Sequence, residues 1–387
     1  FPYTTLFRSS AIGPGFLTQT AVFTESLKAN LGFVILLVII IDLIAQLNIW
    51  QIIGVSGLRA QDIANKMVPG LGVFLAVLIT IGGFAFCIGN ISGAALGLNV
   101  LFGLNTKIGA IISCGIGIIL FSSKEAGKAM DIFAKVLGVG TLLLVAYVAF
   151  RTHPPVGEMI LRTFVPTKVT FLPLLTLVGG TVGGYICFSG GHRLIDAGIT
   201  GEKHVKEITK SSVLAISLAS LMRILLFAAI LGVVVNIGKP LGTVNPAAEA
   251  FRLGAGNLGY KLFGVILFSA GLTAMVGSSY TTLSFLKTLA PVFDKHTSKC
   301  IIGFITICTL VFLIIGKPVK LLVLAGSLNG LILPISLGII LIASTRKNIV
   351  GDHYKHSKFL MYLGYIVVIL AVVAGYMSLG GIAELFK

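Results

Sequence analysis

Charged residues are scarce in this 387-residue sequence. Only 11% of its residues are Asp, Glu, Lys or Arg, and just 13 residues are acidic. Soluble globular proteins carry about 25% charged residues, so this composition excludes a soluble globule. Apolar residues take their place, at 56% of the chain with a mean hydropathy of +1.03. We therefore predict an all-α polytopic membrane protein.

Cysteine and catalytic motifs are also sparse. The five cysteines are odd in number, unclustered and inside apolar runs, which excludes a disulfide framework and a CxxC metal site. The sequence has neither the HExxH pattern of zinc proteases nor the GxSxG pattern of serine hydrolases. We therefore expect no enzyme activity and no resident cofactor. A coupling ion, either a proton or sodium, stays compatible with the sequence.

Basic residues outnumber acidic ones by 29 to 13, which gives a net charge of +16. They lie in short connections between apolar runs, a pattern that indicates membrane topology and lipid contact rather than nucleic-acid binding. A cytoplasmic N-terminus places the larger share of Lys and Arg on the cytoplasmic side. We expect an integral protein of a bacterial inner membrane in that orientation, and the oligomeric state is left open.

Apolar runs of roughly twenty residues, the length that crosses a bilayer, predict about eleven transmembrane helices. Residues 10–387 are predicted to form one transmembrane transporter domain. Residues 1–9, FPYTTLFRS, resemble a translated sequencing adaptor and are expected to be foreign to the protein. The predicted spans lie near 10–28, 31–53, 70–100, 107–123, 130–150, 171–198, 208–236, 256–290, 299–315, 318–344 and 358–380.

The stretch Leu172 to Gly198 is long enough to cross a bilayer but contains three Gly-Gly pairs. An unwound segment at membrane depth must be buried in protein or line a cavity, because unpaired backbone groups are costly in hydrocarbon. Broken helices of this kind hold the substrate in many transporters. We predict a break that contributes Gly183, Gly184 and Tyr185 to a substrate site. Close helix packing through small residues is the alternative.

Polar side chains in other spans supply further candidates. Thr20 and Thr24 are predicted to face the glycine pairs, with Asn90 as a third polar contact. The alternatives are hydroxyls that bond to their own helix and an amide that joins two helices. Arg223, halfway along the seventh span, is predicted to act in gating or coupling, and the alternative is an arginine bonded to carbonyls or reaching a headgroup.

Three more ionisable residues are assigned to gating or coupling. Glu25 lies either in the cavity, where it is the one candidate metal ligand, or at the membrane interface near Lys28. Arg193 and Asp196 end the sixth span, and their i, i+3 spacing predicts an ion pair between them.

The order of motifs resembles the natural resistance-associated macrophage protein (NRAMP) family of proton-coupled divalent-metal transporters. The resemblance covers nearly the whole chain. It implies eleven or twelve helices in a LeuT-type 5+5 inverted repeat that works by alternating access. The motifs are GPGFL at Gly13, GVSGLRAQDIA at Gly54, GAALGLNVLFG at Gly93, GKAMD at Gly127, GGTV at Gly179 and LVLAGSLNGLILPISLGIILIASTRKNIVG at Leu322.

The sequence departs from the family where the family binds metal. Aligned without gaps, the Asp-Pro-Gly-Asn motif of the first helix falls on the four residues from Thr24 to Leu27. The Met-Pro-His motif of helix six falls on Gly183 to Tyr185, and the helix-ten Gln falls on Gly326. The acidic pair of helix three falls on Cys87 and Asn90.

Three functions remain open. A metal carrier of NRAMP type is favoured by motif order and requires Glu25 in the cavity. A symporter of a small organic acid or amino acid is favoured by the substituted site, since neutral oxygens and helix N-termini suit a carboxylate. It requires Gly183, Gly184, Tyr185, Thr20 and Thr24 to converge on a pocket. A membrane enzyme or sensor is the third.

Overall fold

The computed structural model describes residues 12–122, 124–287 and 290–386. All regular secondary structure in these ranges is helical, as predicted. Residues 1–9, expected to be foreign, lie outside the described residues, and the single-domain division stays a prediction.

The helices of the first half are α1 (Pro14–Leu27), α2 (Leu31–Ser56), α3 (Ala60–Met67), α4 (Leu71–Phe102), α5 (Thr106–Ser122), α6 (Lys124–Thr152), α7 (Val156–Phe164) and α8 (Phe171–Gly179). Those of the second half are α9 (Tyr185–Asp196), α10 (Val205–Gly232), α11 (Pro246–Leu286), α12 (Pro291–Lys295), α13 (Thr297–Ile315), α14 (Pro318–Ala343), α15 (Lys347–Val350) and α16 (Lys358–Phe386). Short 3₁₀ turns lie at Lys28–Asn30 and Glu202–His204, and a π turn at Val233–Ile237.

Each predicted span corresponds to helix in the described ranges. Seven helical stretches are long and apolar enough to cross a bilayer, and one of them joins α1 to α2. The predicted spans that are not among these seven correspond to shorter or broken helices. They are α5, the pair α6 and α7, which is bent by 107°, and α8 with α9. Two longer stretches between predicted spans also contain helix: 151–170 contains α7, and 236–256 contains the start of α11.

The predicted break in the sixth span lies between α8 and α9. Residues 180–184 leave the helical path, and Gly184 has a φ of +52° and a ψ of −122°. This left-handed value favours glycine, since a β-carbon is strained there. A Cβ on Gly184 would also overlap the side-chain oxygen of Asn329. Both backbone conformation and space therefore require glycine at this position.

Helix α14 holds the broken segment in place. A Cβ on Gly179 would overlap the carbonyl oxygen of Gly326, so the two backbones touch. Thr176 and Ser327 share a hydrogen bond of 2.8 Å between their hydroxyl oxygens. The amide of Asn329 donates to the carbonyl of Gly82 on α4 at 2.9 Å. The glycine pairs therefore serve close packing as well as the break, and their part in a substrate site stays a prediction.

We expect Gly184→Ala to lower the stability of the protein by about 1–3 kcal/mol, because the new Cβ is strained and collides with Asn329. Thermal unfolding in detergent measures the loss as a drop in melting temperature. Gly303→Ala on α13 is the matched control, since its Cβ meets nothing within 4 Å. Equal melting temperatures for the two variants would show that the break is not built as described.

Candidate functional site

Helix α1 begins in the interior of the helix bundle. Its 14 residues rise about 21 Å, less than the ~30 Å hydrocarbon core of a bilayer. The extended residue before it, Gly13, lies beside Asn90 in the middle of α4, with 3.7 Å between a Cβ on Gly13 and the Asn90 oxygen. No side chain caps the start of α1 or of α9. Each start presents the positive end of a helix dipole.

A small cavity lies between the start of α1 and the α8–α9 break. Its empty volume is about 170 Å³. Phe16 comes from the first turn of α1, and Thr181 comes from the break itself. We call this space the central cavity; its lining residues are Phe16, Ile39, Asp42, Thr181, Ala219, Ser220 and Arg223.

Arg223 on α10 faces the central cavity, as one reading of its position predicted. Its side chain is only 2% exposed. The guanidinium carbon lies 4.3 Å from the centre of the Phe16 ring, a cation–π contact worth about 2 kcal/mol when water is excluded. Its Nε and Nη2 atoms have no hydrogen-bond partner. Two buried donors are therefore available to a solute.

Asp42 on α2 is the carboxylate of the same cavity, and the sequence analysis missed it. It is 7% exposed, and its Oδ1 atom has no hydrogen-bond partner. The signal was a lone acidic residue within the apolar run VIIIDLIA, because an ionisable residue at membrane depth is a functional candidate by default.

Thr20 and Thr24 are buried, but their hydroxyl groups are used within α1. Thr20 donates to the carbonyl of Phe16 at 2.7 Å and Thr24 to that of Thr20 at 2.6 Å. The alternative reading of these residues fits the structure. Gln19 was not singled out, yet its amide donates to the Leu322 carbonyl on α14 at 2.7 Å. Its Oε1 atom lies 2.5 Å from a Cβ placed on Gly180, so Gln19 links α1 to the break.

Tyr185 and Asn90 lie in a separate, neutral cluster. The Tyr185 hydroxyl lies near the side chains of Asn90 and Ser278. Asn90 and Ser278 are themselves 3.4 Å apart, and Cys87 lies 3.5 Å from Ser279. These side chains join α4, α9 and α11 close to the start of α1. The five residues expected to converge on one pocket are thus divided among α1, the α14 contact and this cluster, so the condition set for the carboxylate symporter is not met in that form.

Glu25 lies near the far end of α1, about 14 Å along the helix axis from Phe16. Its Oε1 atom accepts a hydrogen bond of 2.8 Å from the backbone of Leu241. The carboxylate thus fixes the connection between α10 and α11. Glu25 does not line the central cavity, so the condition set for a metal carrier is not met.

Asp196 is bound by residues that are distant in the chain, and its predicted pair with Arg193 stays a prediction. Among the described residues, Asp196 pairs with Arg59 at 2.9 Å and accepts from the Tyr280 hydroxyl at 3.3 Å. Arg59 precedes α3 and also lies near Asp62, whose pKa is raised mainly by burial although Arg59 opposes that rise. The Arg193 guanidinium lies near Gly277 on α11, 3.8 Å from a Cβ placed there.

Comparison with known proteins identifies the family. Residues 6–380 match the family described as natural resistance-associated macrophage protein-like. The chain belongs to this family. It is 55% identical over 374 residues to the uncharacterized membrane protein YcsG of Bacillus subtilis (strain 168), covering 97% of this chain and 92% of that protein. It is 51% identical over 383 residues to an uncharacterized membrane protein of Haemophilus influenzae, and the match covers 99% of this chain and 96% of that protein.

Solved structures confirm the fold of this NRAMP-like protein. A mutant of the manganese transporter of Eremococcus coleocola superimposes with a TM-score of 0.77 at 17% identity, covering 99% of this chain and 86% of that chain. MhsT in complex with L-phenylalanine superimposes with a TM-score of 0.72 at 15% identity, covering 97% and 98%. The predicted LeuT-type 5+5 inverted repeat of an integral membrane transporter is therefore confirmed.

The donor set of this NRAMP-like protein does not fit a transition metal. Such ions are held by imidazole, sulfur and carboxylate ligands. Within the described ranges, no group of three or more His, Cys, Asp or Glu side chains lies close enough to hold one. The break offers glycine backbone instead, and the central cavity offers one carboxylate beside a guanidinium.

We expect Arg59→Gln and Asp196→Asn to show a coupling energy of about 0.2–1 kcal/mol in a double-mutant cycle, because the pair is partly exposed. Thermal unfolding in detergent supplies the four stabilities. A coupling indistinguishable from zero would contradict this pair.

Proposed function

We propose that this protein is a secondary-active transporter that carries a small carboxylate-bearing solute, an organic acid or amino acid, by alternating access. Arg223 supports this most directly: its buried guanidinium faces the central cavity with two donors unused. The N-termini of α1 and α9 add positive dipole ends in the same region, and such ends bind carboxylates.

The positive charge of Arg223 attracts a carboxylate solute and repels a divalent cation. At an effective dielectric near 20, two unit charges about 8 Å apart interact by roughly 2 kcal/mol. A carboxylate in the cavity gains this energy, whereas a divalent cation loses about twice as much. Asp42 in the same cavity offsets part of both effects, and it offers a cation only a single carboxylate.

Divalent-metal transport is the second candidate, and family membership favours it. The similar fold includes both a manganese transporter and MhsT, which was solved with L-phenylalanine bound, so the fold suits either solute. The neutral residues at the family's ligand positions and the distant Glu25 argue for the carboxylate.

The proposed orientation keeps the N-terminus in the cytoplasm of a bacterial cell, on the charge pattern of the connections. The Arg59 to Asp196 pair then lies on the cytoplasmic side, and the Glu25 to Leu241 contact on the opposite side. These two contacts bracket the central cavity and are the proposed gating contacts. Asn90 and Tyr185 are the proposed neutral wall on the α4 side.

We expect purified protein in liposomes to take up a small carboxylate and to leave manganese outside. Arg223→Gln should reduce carboxylate uptake at least ten-fold, because 1.4 kcal/mol is a factor of ten. Uptake of radiolabelled carboxylates and amino acids, measured beside manganese, checks this expectation. Arg252→Gln is the control, since it removes an exposed arginine outside the cavity. If Arg223→Gln leaves carboxylate uptake unchanged and improves manganese uptake, the carboxylate proposal is wrong and divalent-metal transport is favoured.

A further inference from the structure

We propose that the solute is a small zwitterion, an amino acid, whose carboxylate binds Arg223 and whose ammonium group binds Asp42. This inference rests on the proposed transport function and narrows its substrate class. It assigns Asp42 as a specificity-determining residue.

The two opposite charges line one cavity without pairing directly. In the described part of the chain, no ion pair joins Asp42 to Arg223 within 4.0 Å. Both side chains are nevertheless more than nine-tenths buried. Asp42 Oδ1, Arg223 Nε and Arg223 Nη2 all lack a hydrogen-bond partner. A buried polar atom without a partner costs about 1–3 kcal/mol, and more when it is charged, so the site favours a molecule that satisfies both ends.

Charge balance selects the same class of molecule. The empty cavity holds one positive and one negative side chain, which sum to zero. A simple carboxylate would leave a net negative charge in a low-dielectric space, and a simple amine would leave a net positive one. A zwitterion keeps the sum at zero and gives each buried side chain an opposite charge. Only this class pairs both Asp42 and Arg223 at once without a further ion.

The lining of the cavity suits a small amino acid. Phe16, Ile39 and Ala219 form an apolar wall, which suits a short apolar side chain. Thr181 and Ser220 belong to the same lining, and the Thr181 hydroxyl donates to the Leu177 carbonyl at 2.9 Å.

The test uses molecules that differ by one charged group. Alanine is the zwitterion, propionate is alanine without the ammonium group, and ethylamine is alanine without the carboxylate. Proline, tetrahydrofuran-2-carboxylate and pyrrolidine form a second such set. Thermal shift of the wild-type protein across all twenty amino acids and the four analogues identifies binding, and uptake into liposomes confirms transport. We expect at least one small amino acid to bind and its single-charge analogues to bind at least ten-fold more weakly.

Substitutions of Asp42 test whether this residue binds the ammonium group of the solute. Asp42→Asn should reduce the affinity for an amino acid at least ten-fold. It should also bring that affinity closer to the affinity for the analogue that lacks the ammonium group. Asp42→Glu, which keeps the charge, should retain part of the preference and controls for misfolding. Asp294→Asn removes a carboxylate outside the cavity and should change nothing.

The outcomes separate the two proposals. Uptake of propionate equal to that of alanine would overturn the zwitterion and leave the carboxylate transporter standing. Binding of no amino acid would likewise overturn it. Manganese uptake without any carboxylate or amino-acid uptake would overturn both.

Discussion

The constraint on which this structure depends is the cost of unpaired polar groups inside a membrane protein. Residues 180–184 interrupt a transmembrane helix, and α14 compensates by packing Gly326 and Asn329 against the interruption. Arg223 and Asp42 carry the same cost as side chains, and they are placed where the interruption opens a small cavity. Thr181 of the interrupted segment lines this space, and on our proposal the two charges determine what can occupy it.

Two helix starts at similar positions in the bundle give the site its polarity. The start of α1 at Pro14 and the start of α9 at Tyr185 both follow an extended or left-handed glycine and lie close to Asn90. Their dipoles direct positive ends inward, as expected for a LeuT-type fold that binds an anionic group. In this NRAMP-like protein, the neutral side chains of Asn90 and Tyr185 lie close to these two starts.

Sequence patterns predicted what depends on local residues. The glycine pairs predicted the α8–α9 break, and hydropathy predicted each span. Patterns gave no sign of contacts that join distant parts of the chain: Asp196 pairs with Arg59, 137 residues away. Asp42 is a single acidic residue in an apolar run, and its proposed role depends on Arg223, which lines the same cavity. Thr20 and Thr24 were polar at the right depth, but their hydroxyl groups satisfy their own helix.

Protection of a cavity cysteine tests the central claim most directly. Ser220→Cys, in a Cys300→Ser background, places a thiol on the cavity lining, while the other native cysteines are buried. Ser217→Cys on the exposed side of α10 is the control. The account predicts that a saturating transported solute slows thiol labelling at position 220 at least ten-fold and leaves position 217 unchanged. Equal labelling at position 220 with and without the solute would contradict the placement of the site.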